Sequence, residues 1–417
     1  MNTKTLLFYI AAFLEGRLEA RPLFYGTVGP RFPLDIACPL YYTLTRPGII
    51  QGVFFDNENS YIRPVFRTLD ICHSVANTAM IQVKDKFYAM YERDCPVEIK
   101  IDYAGKSLKE HRRIDYAGIC SGHTKWNGTH LESLSYHWWS RNVNFSVFDS
   151  RWKKVRNHSV KIPYPFSPMV HDYIRLDGER ILFSVSNLFS SMGMENKMER
   201  TLFLVMNTED GSVQYHFYDS NIMIFHYADC KRMEGHWEVF ASAYNEVNLC
   251  KSARALQGYY SKFIVPVVEG GREEGSAKGA EAVSSKGGRR TVMSETTNTL
   301  QQYNLDFPVK MGGEGDKDAP ICVRSVTKDG RHRYNKLVIC RGLEIIREIP
   351  FPERMLCCEP AYDEEACKLY GLSWQVDNPS VVFFWECSWP SCVVTETRLR
   401  VDKPLFYGFH SGLYKFA

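Results

Sequence analysis

Histidine is the residue in this chain best suited to do chemistry. The sequence has twelve of them. A metal-ligating histidine must sit at the end of a rigid element, facing other ligands, with its second ring nitrogen held by a hydrogen bond. Four histidines stand out by their surroundings: His123 in Ser121-Gly122-His123-Thr124-Lys125, His171 in Met169-Val170-His171-Asp172-Tyr173, His226 in Phe225-His226-Tyr227, and His410 in Gly408-Phe409-His410-Ser411. Three of the four are bracketed by apolar or aromatic residues, where an unsatisfied imidazole would be costly. They lie 48, 55 and 184 residues apart, so no local HxxxH or HExxH pair exists. The residues alone leave two readings open for each, a metal ligand or a buried histidine bonded to backbone.

Cysteine offers less. The thirteen cysteines form no CxxC pair of pairs, and none stands in a motif that places it beside a base. Cys357, Cys358 and Cys367 match no zinc spacing and read as small buried hydrophobes. Reduced thiols indicate a reducing compartment. Three Asn-x-Ser/Thr sequons occur, at Asn127, Asn144 and Asn157. Asn144 falls in an alternating strand-like run, which argues against glycosylation and for a cytoplasmic location.

The elements that must position the histidines read as strands. Runs of strand length recur at 79–91, 181–188, 201–206, 222–227, 236–244, 262–268, 336–340 and 381–387. Hairpin signals separate several of them: Asn127-Gly128, Asp177-Gly178, Asp210-Gly211 and Asp329-Gly330. Helical periodicity is scarce, so the chain is expected to be all-β. At 417 residues a single barrel or sandwich would be unusual, whereas radially repeated four-stranded blades accommodate the length. One domain over 1–417 is expected. The stretch 269–297, nearly free of aromatics and rich in Gly, Ser, Ala and charge, reads as a disordered surface loop.

Composition sets outer limits. Hydrophobic residues at 45% and charged residues at 24% exclude a disordered or multi-span membrane chain. A formal net charge of +3 gives no reason to expect a nucleic-acid partner. The apolar run 6–14 is too short to span a bilayer and reads as a short helix packed on the body, with a peripheral membrane contact as the alternative.

Read in order, the motifs resemble the carotenoid cleavage oxygenase family. Gly29-Pro30 comes first, then Ser60-Tyr61-Ile62-Arg63 with Arg67-Thr68, then Ala76-Asn77-Thr78-Ala79 leading to Tyr91-Glu92, and finally the four histidine motifs. The resemblance implies a seven-bladed β-propeller in which His123, His171, His226 and His410 converge on Fe(II) at the axis. Four neutral imidazoles would leave two octahedral positions for dioxygen. The implied substrate is an apolar polyene or stilbene-like molecule in an apolar tunnel, cleaved to two carbonyl products. One branch of the family isomerises and hydrolyses retinyl esters instead, and a propeller that only binds metal or an apolar ligand is a further alternative.

In that family three of the histidines donate their free ring N–H to a glutamate. Glu92 stands at the first of these positions and is expected to support His171. The second glutamate normally precedes a Pro and an Asp by two and five residues, and that register falls on Cys358, with Glu359 one residue off. A one-residue shift in a strand turns a side chain to the opposite face, so either the register slips locally or His226 has lost its carboxylate partner. The third is missing from its expected place, leaving Glu386 and Glu396 as candidates and suggesting one thinned blade.

Overall fold

The computed structural model describes residues 4–12, 48–56, 65–70, 76, 78–92, 94–102, 104–136, 140–162, 168–187, 200–245, 258–267, 292–295, 300, 303–312, 319–326, 334–357, 359–401 and 408–416. Among them are thirty β-strands and one three-residue 3-10 helix, Asp115–Ala117. The strands form seven antiparallel sheets of four or five strands. Six are built from consecutive hairpins, over 79–113, 125–161, 168–218, 223–295, 304–350 and 354–399. The seventh joins the two ends of the chain: Val65–Asp70, Gly48–Asp56, Lys4–Ala12 and Gly408–Phe416, in that order.

One strand of each sheet packs against one strand of the next. Gly408–Phe416 meets Ala79–Val83, which meets Lys125–Trp126; further round, Tyr173–Arg175 meets Met223–Met233, which meets Asn304–Lys310. That strand meets Ala361–Asp363, and Ala361–Asp363 returns to Gly408–Phe416. The remaining step, from Lys125–Trp126 to Tyr173–Arg175, is bridged by the Lys125 ammonium, 3.0 Å from the Asp172 carboxylate. The sheets thus follow one another round a closed circuit, and the fold is an all-β propeller.

Hydrophobic patterning explains the packing between sheets. Thr201–Asn207 is buried through its first six residues because it is a middle strand with another sheet on each face. Its Leu202 and Leu204 pack with Val143 and Phe145 of the preceding sheet, while Phe203 and Val205 pack with Val239 and Phe263 of the following one. Each such side chain contributes about 1.5–3 kcal/mol on burial. Similar apolar layers separate 304–350 from 354–399 and 79–113 from 125–161.

Three of the four hairpin signals lie in turns. Gly128 and Gly211 take φ of +92° and +74°, the left-handed conformation those turns need. Asn127, Asp177 and Asn207 each accept backbone N–H groups from the turns they open. Asp329-Gly330 lies outside the described residues, as do Gly29-Pro30 and 60–63.

Several expectations are corrected. The run read as a helix over 6–14 is a strand, Lys4–Ala12, hydrogen-bonded on both sides. A short apolar run does not reveal its period, and the partners that settle it lie about forty and four hundred residues away in the chain. The single run 79–91 is a hairpin, Ala79–Val83 and Lys86–Met90, with Lys84 at φ +57° in its turn. The surface loop 269–297 does not hold over its whole length. Met293–Glu295 is the fourth strand of its sheet, and Val292 beside it is buried. No described sheet has fewer than four strands, and the one over 354–399, where a thinned blade was expected, has five. No helix among the described residues is long and apolar enough to cross a membrane.

Candidate metal centre

The innermost strands are regular only up to the points where chemistry is needed. Between the pairs Met169↔Ser186 and Tyr173↔Phe183, three residues oppose two, and His171 is the middle one. In Met223–Met233 the pairs Ile224↔Ala243 and His226↔Ser242 leave Phe225 as an extra residue beside His226. In the closing sheet, Phe409 and His410 together oppose Ile10. Bulges of this kind bend a strand and re-aim its side chains. Each of these three histidines sits at one.

His123 is placed differently, just before the two-residue strand Lys125–Trp126. Its N–H donates to Ser121 Oγ at 3.0 Å, and Thr124 Oγ1 donates back to the Ser121 carbonyl at 2.9 Å. Gly122 lets this turn approach its neighbours closely, since a Cβ there would meet Thr78 Cγ2 at 2.6 Å. Ser121 Oγ also donates to the His171 carbonyl at 3.3 Å, which ties the two histidine segments together.

The four imidazoles converge, with one nitrogen of each lying within 4.8 Å of all the others. His123 Nε2 is 3.0 Å from His171 Nε2, and His226 Nε2 is 3.2 Å from His410 Nε2. Metal–nitrogen bonds of about 2.1 Å at right angles would put neighbouring ligand nitrogens about 3 Å apart.

The other ring nitrogens meet carboxylates in three cases. Glu92 Oε1 is 2.9 Å from His171 Nδ1. Asp306 Oδ1 is 2.7 Å from His226 Nδ1, and Glu359 Oε2 is 3.1 Å from His410 Nδ1. His123 Nδ1 is 3.9 Å from Asp172, beyond hydrogen-bond reach. A ring that gives its Nδ1–H to a carboxylate turns the Nε2 lone pair inward. Buried lone pairs facing each other across about 3 Å repel unless a cation lies between them. The donor set therefore fits a divalent metal ion that favours imidazole nitrogen.

Glu92 is thus where sequence reasoning put it, beside His171. The other two assignments are corrected. Glu359 supports His410, and the carboxylate beside His226 is Asp306, which sequence reasoning missed. Glu386 and Glu396 lie away from the centre, paired with Lys368 and Arg354. The signal was present one sheet out of step: Asp306 precedes Pro308 by two residues, the spacing expected of the second acid, and Glu359-Pro360 is itself a Glu-Pro pair. Both acids sit at irregularities. Phe307 and Pro308 together oppose Val323, with Phe307 at φ +61°, and 357–360 opposes only 371–372.

The electrostatics follow from burial and these partners. Burial first, then the three neighbouring imidazoles, push the His123 pKa well below its usual value. Burial also lowers His410, against the opposing pull of Glu359. For His226 burial acts downward, but Asp306 outweighs it and the pKa is raised. Asp306 is lowered in turn, because His226 and the Tyr244 hydroxyl overcome its own burial.

Asp172 is a further residue that sequence reasoning did not single out. It is buried, and it accepts N–H groups from Tyr173 at 2.7 Å and Tyr227 at 3.1 Å as well as pairing with Lys125. One carboxylate thereby fastens the segments of His123, His171 and His226. A cavity of about 260 Å³ reaches His123, His226 and His410 and is lined by Ala79, Ile81, Lys125, Tyr227 and Ser411 among others. Aromatic rings also stand against the centre: Phe225 4.8 Å from His171 and Phe307 4.7 Å from His226, between ring centroids.

The fold and the centre define a β-propeller with four histidines converging near its axis. The profile of the retinal pigment epithelial membrane protein family matches residues 50–310, and the chain belongs to that family, the carotenoid cleavage oxygenases. No sequence among curated proteins matches it. Among solved structures it is similar to a variant of Synechocystis apocarotenoid oxygenase, at 12% identity and a TM-score of 0.68, over 100% of this chain and 93% of that one. A Pseudomonas brassicacearum lignostilbene dioxygenase gives 12% identity and a TM-score of 0.68, over 99% and 92%. The cobalt-substituted Synechocystis enzyme aligns with a TM-score of 0.68, at 12% identity over 100% of this chain and 94% of that one. At such identity the likeness establishes the fold.

Proposed function

We propose that this protein is a single-domain, seven-bladed member of its family that holds Fe(II) with His123, His171, His226 and His410. On this reading it is a non-haem iron dioxygenase that cleaves a conjugated double bond of an apocarotenoid, retinoid or stilbene-like substrate. Each of the seven sheets is then one blade. The observation that carries the reading is the joint geometry: four imidazoles within 4.8 Å, three of them backed by a carboxylate. Carboxylates lost from beside His226 and His410 would have favoured a propeller that only binds. Asp306 and Glu359 remove that argument.

The chain's own groups have definite tasks in this account. Glu92, Asp306 and Glu359 fix the ring tautomers so that Nε2 faces inward, and Asp172 holds three histidine segments in register. Phe225 and Phe307 pack against His171 and His226, apolar surface of the kind an alkene site uses. Bound iron(II) would supply the binding and activation of dioxygen. A cytoplasmic location agrees with the free thiols of the described cysteines.

The test is oxygen uptake and product analysis with iron-loaded protein across apocarotenoid, retinoid and stilbene panels, with His226→Ala as the blank. Dioxygen consumption with two carbonyl products supports the reading. Wild type indistinguishable from the blank on every substrate, at full iron occupancy, would refute it. Release of an isomerised retinol from a retinyl ester without oxygen uptake would assign the isomerohydrolase branch instead.

A further inference from the structure

Resting on the proposed metal centre, we infer that Tyr244 is a positioning residue for that centre, acting on His226 through Asp306. The three supporting acids are not held alike. Glu92 meets His171 Nδ1 through Oε1 at 2.9 Å, and its Oε2 is buried with no hydrogen-bond partner. Glu359 Oε2 takes His410 Nδ1 at 3.1 Å and the Ser411 N–H at 3.3 Å. Asp306 is engaged on both oxygens: Oδ1 accepts from His226 Nδ1 and from the Phe307 N–H, each at 2.7 Å, and Oδ2 accepts the Tyr244 hydroxyl.

An aspartate is one methylene shorter than the glutamate at the other two positions. Its carboxylate reaches His226 from a backbone already bent by the bulge at Phe307, and a donor on each oxygen stops it from turning about its last torsion. The surroundings are shaped to let Tyr244 do this. Tyr244 ends the strand His236–Tyr244 and is buried, with its ring 5.0 Å from that of Phe225. Opposite it in the next strand stands Gly258, where a Cβ would lie 2.9 Å from Tyr244 Cζ and 2.9 Å from the Leu305 carbonyl oxygen. Glycine there leaves the room through which the phenol reaches the residue next to Leu305. Without the hydroxyl, Oδ2 becomes a buried acceptor with no partner, and the grip on His226 loosens.

The experiment is a cobalt(II) titration of the full chain followed by visible absorption, with Tyr244→Phe, Asp306→Asn and the double variant. Tyr244→Phe should weaken cobalt binding by about tenfold, the lower end for loss of a supporting partner. It should also shift the visible band. In the Asp306→Asn background the same change should have no further effect on affinity, because the hydroxyl then has no carboxylate to hold. Gly258→Ala, whose Cβ would crowd both the Tyr244 ring and the Leu305 carbonyl oxygen, should weaken binding in the same direction. Unchanged affinity and band in Tyr244→Phe would overturn the inference. So would an equal loss in both backgrounds, which would assign Tyr244 to packing alone. If wild type takes up no cobalt, the metal centre falls and the inference with it; wild-type uptake with an inert Tyr244→Phe refutes the inference alone.

Discussion

Nε2 of His123 and Nε2 of His171 face each other across 3.0 Å, although the two residues adjoin strands of separate sheets. Such an arrangement is costly in a dry interior and favourable around a cation. Metal binding is therefore linked to folding, and removing the metal should lower stability. Dialysis against a chelator is expected to lower the thermal midpoint by several degrees, and stoichiometric Fe(II) or cobalt should restore it. A midpoint indifferent to chelation would show that the four rings coexist without a cation.

The carboxylates should matter in proportion to how firmly they are held. Asp306→Asn, Glu359→Gln and Glu92→Gln each replace an acceptor of the imidazole N–H by an amide and should weaken metal binding by about 10–100-fold. Asp306 is buried and bonded on both oxygens, so its replacement should cost most. Iron content measured beside thermal stability separates loss of metal from loss of fold. Full iron occupancy in all three variants would make the carboxylates bystanders.

A prediction away from the centre concerns Glu98, buried in the strand Val97–Asp102 and paired with Arg112 at 2.8 Å and Lys86 at 3.3 Å. Burial alone would raise its carboxyl, but the two cations outweigh it and hold the pKa below 4.5. A depressed folded-state pKa contributes stability that is present above the unfolded value and lost as pH falls through the folded one. Wild type should therefore exceed Glu98→Gln in stability at pH 7, and the gap should close below about pH 4. The partners are half exposed, so the gap should be modest. A gap that is constant from pH 7 to pH 3 would contradict the assignment.

The polar stretch before Met293 should be dispensable where the strand after it is not. Replacing 270–289 by a short Gly/Ser linker is expected to leave the thermal midpoint nearly unchanged, given its composition. Extending the deletion through 297 removes Val292, whose N–H donates to the Phe217 carbonyl at 2.7 Å. It also removes Ser294, whose hydroxyl meets that of Tyr218 at 2.7 Å. The longer deletion should lower the midpoint by several degrees, as one sheet loses its outer strand and the neighbouring sheet loses these two hydrogen bonds. Equal midpoints for the two deletions would show that Met293–Glu295 is not structural.

What could be read from the sequence was what is local. Hairpin turns such as Asn207 to Gly211 announce themselves because positive φ demands particular residues, and the four histidine motifs carry their context with them. What could not be read depends on pairing. The strand Lys4–Ala12 is defined by partners at both ends of the chain, and an apolar nine-residue run has no period of its own to reveal them. The same limit hid Asp306, whose role is set by a bulge that adds one residue to its strand. Counting residues from Pro360 led to Cys358, whereas counting from Pro308 leads to the acid that meets His226.

The account rests most directly on metal stoichiometry, measured by anaerobic titration of chelator-treated protein with Fe(II) and by nitrogen coordination from X-ray absorption. Wild type should take up one iron per chain with four imidazole nitrogens in its coordination sphere, and His226→Ala should lose most of that uptake. Wild type that binds no iron, or binds it equally well in His226→Ala, would contradict the account.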